Sequence, residues 1–124
     1  MSERIFVYGS LRKRASNGWR MKDARWLGPA EVGGTLVKVD WYPGLVLGNR
    51  GQVMGEVYEV GSDLLKELDE FEGIGTDQGN GEYRRVRARV SLGGKTVEVW
   101  IYEWLKGIDD YEMVESGDWL TVEQ

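Results

Sequence analysis

The chain has 124 residues, a formal net charge of −5, 18 Gly and six Trp, and it has neither His nor Cys. That length fits one domain, residues 1–124, able to bury a core of its own. The missing residue types exclude disulfides, thiol nucleophiles, thiolate metal sites, the Ser-His-Asp triad and the usual His-based zinc and iron centres, so any acid–base chemistry falls to Asp, Glu, Lys or Tyr.

Ile5-Phe-Val-Tyr8 is a continuous apolar run of strand formers and predicts a strand covered on both faces, ending at the turn signal Gly9-Ser10. The weakly patterned stretch that follows predicts a loop with a short helix. Gly33 to Trp41 predicts a second strand, closed by Tyr42-Pro43-Gly44, and Gln52 to Val60 a third. Ser62 is placed as an N-cap with Asp63 suited to the helix dipole. Leu64, Leu65, Leu68 and Phe71 recur at helical spacing, and Gly73 stops the helix. Ile74 to Gly81 is a polar, Gly-rich loop. Tyr83 to Val90 and Lys95 to Trp104 alternate with period two around the hairpin turn Gly93-Gly94. Five or six strands and one clear helix, with Gly at bends, predict an α+β domain: a small mixed β-barrel with one or two flanking helices.

No run reaches the roughly 20 apolar residues that span a bilayer. The start, Met1-Ser-Glu-Arg-Ile-Phe6, lacks the pattern of an export signal, which predicts no membrane partner and a cytoplasmic protein. Charge is uneven. Arg12, Lys13, Arg14, Arg20, Lys22 and Arg25 face a single acid, Asp23, whereas the chain after Trp104 is acidic. The basic stretch could meet phosphate, but it lacks a nucleic-acid motif and contains one aromatic residue, Trp19. It reads as a solvated or salt-bridged surface, so nucleic acid is not expected as a partner.

Three places can carry chemistry. Leu65, Leu68 and Glu72 share one helical stripe, with Asp69 beside Glu72, while Lys66, Glu67 and Glu70 fall opposite. Glu72 thus stands where the pattern calls for a core residue, at the negative end of the helix dipole. Both conditions raise a carboxyl pKa toward the range useful for general acid–base catalysis. The alternative is a rotated last turn with Glu72 in water. The second place is Tyr8-Gly-Ser-Leu11, where Gly lets backbone approach a ligand and successive N–H groups can form an anion nest. An ordinary chain reversal is the alternative. The third is Arg84, which has the parity of Val86, Ala88 and Val90 and is expected to point inward, opposite a solvated Arg85, Arg87 and Arg89. An inward Arg needs an acid: Asp69, Glu72 or a carboxylate ligand. The aromatics Tyr42, Tyr58, Tyr83, Trp100 and Tyr102 are core by default, with a few available to line a pocket.

Taken in order, Phe6-Val-Tyr-Gly-Ser-Leu-Arg12, Ala24-Arg-Trp-Leu-Gly28, Tyr42-Pro-Gly-Leu45, Gly55-Glu-Val-Tyr-Glu-Val60, Leu68-Asp-Glu-Phe-Glu-Gly73, Tyr83-Arg-Arg-Val86 and Gly117-Asp-Trp119 resemble the gamma-glutamylcyclotransferase-like family over nearly the whole chain. The resemblance implies a small barrel with a cavity beside the Tyr-Gly-Ser-Leu turn, and Glu72 as the acid–base residue. It implies that Tyr8, Gly9, Ser10 and Leu11 hold the glutamyl end of a small-molecule gamma-glutamyl substrate. The implied reaction is attack of the substrate's own α-amine on its γ-carbonyl, which releases 5-oxoproline and needs no cofactor or metal. Tyr83 and Tyr42 would close the pocket, and Arg84 is included among the substrate-binding candidates. The long Ile74–Glu82 segment departs from a compact family pattern, as a cover over the pocket or a tolerated insertion. A non-catalytic ligand-binding or regulatory module on the same fold is the competing function.

Overall fold

The computed structural model describes residues 2–74 and 81–123. Its elements are β1 (Ser2–Val7), a 3-10 turn at Gly18–Met21, β2 (Arg25–Lys38), β3 (Pro43–Gly61), α1 (Ser62–Phe71), β4 (Tyr83–Leu92), β5 (Lys95–Trp104), β6 (Glu112–Met113) and a second 3-10 turn at Trp119–Thr121. The sheet order is β3-β1-β5-β4-β2-β6, and β3 also pairs with β2, so five of the six strands close into a ring. The β1–β5 pairing, Ile5 opposite Trp100, is parallel, and the other pairings are antiparallel. Each ring strand thus has neighbours on both sides, although β4 meets β2 only through Ala30–Leu92 and Glu31–Ser91.

Strand alternation divides the core in two. Phe6 of β1 and Tyr8 just after it join the cluster formed with Leu36, Val57, Ile101 and Trp119, while Ile5 and Val7 join a second cluster with Leu65 and Leu68 of α1. The same split runs along β5, where Val99 and Ile101 take the first cluster and Trp100 and Tyr102 the second. The period-two side-chain pattern thus presents one face of the strands to each core. Burying each Leu or Ile contributes about 1.5–3 kcal/mol.

The helix and the Gly93-Gly94 hairpin lie where the sequence puts them, with Leu92 paired to Lys95 across the two glycines. Gly61 rather than Ser62 is the N-cap, in an extended conformation, and Asp63 occupies the first turn. Strand β2 begins at Arg25, well before the expected Gly33, and ends at Lys38. Gly28-Pro29 reads as turn punctuation, yet Gly28 has φ 142° at a register break between Trp26 and Gly28, so the strand bends and continues. Strand β3 begins at Pro43 rather than Gln52. A second register break pairs Gly33 with Gln52 and Gly34 with Leu47, which leaves residues 48–51 without counterparts on β2. Those Gly-rich residues hid the continuity of the strand. Most of the expected Ile74–Glu82 loop, residues 75–80, lies outside the described residues. Among the described residues no helix is long and apolar enough to cross a membrane.

Candidate active site

The end of α1 fixes Glu72. The Gly73 N–H donates to the Glu70 carbonyl at 3.1 Å and the Ile74 N–H to the Asp69 carbonyl at 2.8 Å. This is the paired hydrogen-bond pattern of a Schellman cap, and it needs a left-handed residue, supplied by Gly73 at φ 77°. Glu72 is therefore the C-cap itself, held by its N–H on the Leu68 carbonyl at 3.0 Å. Its carboxyl lines a cavity of about 290 Å³, near the lower end of small-ligand clefts.

The turn after β1 forms another wall. Tyr8, Gly9, Ser10 and Leu11 all line the cavity, with Pro43 packed against Gly9. A Cβ on Gly9 would stand 2.7 Å from Pro43 Cγ, so this approach is possible only for glycine. The Gly9 carbonyl accepts from Arg12 N–H at 3.0 Å and the Ser10 carbonyl from Asn17 N–H at 2.7 Å. Among the described residues, no hydrogen bond uses the N–H groups of Gly9, Ser10 and Leu11. Arg12, buried immediately after the turn, donates to Glu56 and Asp118, and Glu56 also accepts the Lys13 N–H at 2.9 Å. The turn is pinned to β3 and to the C-terminal segment by that cluster.

Phenols close the remaining sides. The Tyr83 hydroxyl donates to the Pro43 carbonyl, the Tyr8 hydroxyl to the Tyr102 carbonyl, and the Tyr102 hydroxyl to Asp69 Oδ1 at 2.8 Å. Tyr42 donates to Glu82 Oε2 at 3.1 Å. Burial is the main cause that raises the Tyr8, Tyr83 and Tyr102 hydroxyls above their ordinary range. Tyr42 is pushed up to about 12 by burial and then by its hydrogen bond to Glu82. The phenols are thus fixed donors at neutral pH rather than bases.

Glu72 behaves differently. Burial first, then the charges of Asp69 and Glu82, push its carboxyl from 4.5 up to about 7. Among the described residues no hydrogen bond reaches that carboxyl, and no Lys or Arg lines the cavity. Among the described residues Glu72 therefore shares its cavity with carboxylates and phenols and with no Lys or Arg, an arrangement that suits a positively charged ligand. Also among the described residues, no group of carboxylates has the spacing to hold a metal ion.

Arg84 does not join the site. Its side chain is largely exposed and pairs with Glu103 Oε1 at 2.8 Å, so the acid partner is neither Asp69 nor Glu72. Strand parity aims Arg84 toward the ring interior, but it stands near the start of β4, where the ring opens and its side chain leaves the core. The arginine near the site is Arg85, which was expected to be solvated. Its Nε lies 3.5 Å from Asp69 Oδ1, its guanidinium covers Trp100 at 4.3 Å, and its Nη1 is buried without a hydrogen-bond partner among the described residues. The expectation of a solvated face holds for Arg87 and Arg89. Glu82, Pro43 and Phe71 also line the cavity and were not among the site residues expected from sequence. The clue for Glu82 was its place next to Tyr83, at the entry to β4.

A sequence model of the family described as Gamma-glutamyl cyclotransferase, AIG2-like, matches residues 5–121. The gamma-glutamylcyclotransferase family protein YtfP of Escherichia coli (strain K12) is 39% identical over 118 residues, covering 94% of this chain and 96% of that protein. The gamma-L-glutamyl-butirosin B gamma-glutamyl cyclotransferase of Niallia circulans is 37% identical over 118 residues, covering 93% of this chain and 74% of that enzyme. Among solved structures, protein PH0828 from Pyrococcus horikoshii aligns with a TM-score of 0.74 at 29% identity, over 97% of this chain and 92% of that one.

Proposed function

We propose that this chain, which belongs to the gamma-glutamyl cyclotransferase, AIG2-like family, releases 5-oxoproline from a gamma-glutamyl amine or peptide with Glu72 as the proton carrier. The observation that carries the reading is the Glu72 carboxyl, raised to about 7 in a cavity that offers it no cation. The substrate's α-ammonium supplies the missing charge. The N–H groups of Gly9, Ser10 and Leu11 receive the substrate carboxylate or the oxyanion that develops on the γ-carbonyl.

Chemistry then needs little from the protein. Glu72 as carboxylate takes a proton from the α-ammonium, and the freed nitrogen attacks the γ-carbonyl carbon. A five-membered ring forms through a tetrahedral intermediate. The C–N bond to the leaving amine breaks as Glu72 returns the proton to that nitrogen. The second proton of the attacking nitrogen then passes through Glu72 to the departing amine, giving 5-oxoproline and the amine as its ammonium ion. A carboxyl with a pKa of about 7 can accept and give back a proton at neutral pH. Because nucleophile and electrophile share one molecule, holding it folded supplies much of the rate by proximity. Tyr83 and Tyr42 complete the walls around it.

The test is 5-oxoproline release from a panel of gamma-glutamyl amines by wild type and Glu72→Gln. Wild type is expected to form product, and the variant to lose about 10³-fold in rate, within the range for a general acid–base group. Equal rates would remove Glu72 from the mechanism. Binding without product in wild type would favour the non-catalytic module instead.

A further inference from the structure

Asp69 and Arg85 do not line the cavity, yet both are tied to its wall. Asp69 Oδ1 accepts the hydroxyl of Tyr102, a lining residue, at 2.8 Å, and Arg85 Nε lies 3.5 Å from the same oxygen. Asp69 is also three residues before Glu72 on α1, a spacing that makes two side chains neighbours. The two carboxyls are treated unequally. Asp69 has a hydrogen-bond donor and a cation, whereas among the described residues Glu72 has neither.

Arg85 is held by packing more than by hydrogen bonds. Its guanidinium lies 4.3 Å from the Trp100 centroid, and Arg87 covers the same ring at 4.2 Å. Its Nη1 is buried without a partner among the described residues. An ion pair built for stability uses the guanidinium fork on both carboxylate oxygens, and a buried donor left unpaired costs stability. Arg85 therefore serves Asp69 as a nearby charge rather than as a clamp. When two neighbouring carboxyls compete for one proton, the one that meets donors and a cation keeps the negative charge, and the other takes the proton.

We infer that Asp69 is a positioning residue for the cyclotransferase reaction, an inference that rests on that reading: anchored by Tyr102 and Arg85, it stays the fixed anion of the pair and leaves Glu72 to carry the proton. Neither Asp69 nor Arg85 touches substrate, and both act through Glu72. The negative charge of Asp69 opposes a second one on Glu72, and Arg85 offsets Asp69. The other groups facing Glu72 are Tyr8 after β1, Glu82 and Tyr83 at the entry to β4, and Tyr102 on β5.

The test compares wild type, Asp69→Asn and Arg85→Gln, which leave those four groups unchanged. Two midpoints are read: the acid limb of kcat/KM for 5-oxoproline release from gamma-glutamyl-butylamine, and the Glu72 carboxyl by 13C NMR without ligand. Asn keeps the shape of Asp and an oxygen for Tyr102, and Asp69→Asn is expected to move both midpoints about 1 pH unit toward acid. Arg85→Gln is expected to move both about half a pH unit toward base. Damage to the fold alone would not move the two variants in opposite directions. If Asp69→Asn does not fold, Arg85→Gln decides: a midpoint nearer base supports the pair, and an unmoved one overturns it. Midpoints that stay in place, or move the same way in both variants, would overturn the pair and, with product still formed, leave the cyclotransferase reading intact. NMR midpoints that part as expected, with no product even from wild type, would overturn the reaction and leave the pair of carboxyls standing. Unmoved midpoints without product would overturn both.

Discussion

Two groups of charge meet on either side of the Tyr8–Arg12 segment and are partnered in opposite ways. Arg12 is buried between Glu56 and Asp118, a cation held by two carboxylates. The Tyr8–Leu11 turn just before it borders the cavity of Glu72, where Asp69, itself paired with Arg85, and Glu82 raise the carboxyl pKa and, among the described residues, no Lys or Arg lines the cavity. Burial is costly for a charge in either place. In the first group the fold supplies the counter-charge, so the group is a structural clamp. In the second the described residues bring no Lys or Arg into the cavity beside the Glu72 carboxyl, and on the proposed reading the substrate's ammonium supplies that charge. The clamp holds the wall of the site, because the residue after Leu11 is Arg12.

The two clusters should therefore respond differently to loss of a member. The largest change expected is the roughly 10³-fold loss of turnover in Glu72→Gln. Arg12→Met should instead cost stability, by about 3–5 kcal/mol, because Glu56 and Asp118 would be left without their cation. Urea denaturation measures that difference, and a loss below about 1 kcal/mol would show that the clamp is not structural.

Glu72→Gln should move stability in the opposite direction, and with a pH dependence. In the folded chain Glu72 titrates at about 7 against 4.5 ordinarily. Below pH 4.5 the carboxyl is protonated in folded and unfolded chains alike, and its ionisation costs the fold nothing. Between 4.5 and 7 the unfolded chain releases the proton while the folded chain keeps it, so stability falls as pH rises, and the loss is complete above 7. Glutamine cannot ionise, so the variant should match wild type at pH 4 and exceed it at pH 8 by up to about 3 kcal/mol. Denaturation at the two pH values checks this, and equal differences at both would contradict it.

The smallest effect joins the two regions. Gly9→Ala sets a Cβ 2.7 Å from Pro43 Cγ, and the turn must shift away from its neighbour. About 1–3 kcal/mol of stability should be lost, as in other overpacked sites. Turnover should fall with it, because the N–H groups at Gly9 to Leu11 move with the turn. Unchanged KM and kcat would mean that the turn does not hold substrate.

The site was more legible in the sequence than its surroundings. Glu72 stood out because a carboxylate interrupted an apolar stripe just before Gly73, and the Schellman cap has the geometry that this placement requires. The Tyr8–Leu11 turn was marked by the end of an apolar run. Local signals of this kind need no knowledge of the distant chain. The Arg12 clamp does, since Glu56 is 44 residues away and Asp118 is 106. The true start of β2 was hidden by Gly28-Pro29, where a bulge allows a strand to continue through a turn-like dipeptide. Arg84 shows a different limit. Counting outward from Gly93-Gly94 pairs it with Glu103, so its partner was available from the hairpin. Parity said nothing about how close to the open end of the ring it lies.

The central claim is that Glu72 is a half-buried cavity carboxyl that meets no cation among the described residues. Titration of the glutamate side-chain carboxyls by 13C NMR tests it most directly, with Glu72→Gln identifying the resonance. The account expects that one signal to titrate near pH 7 in the ligand-free chain. A midpoint near 4.5 would contradict it and would leave Glu72 an ordinary surface carboxylate.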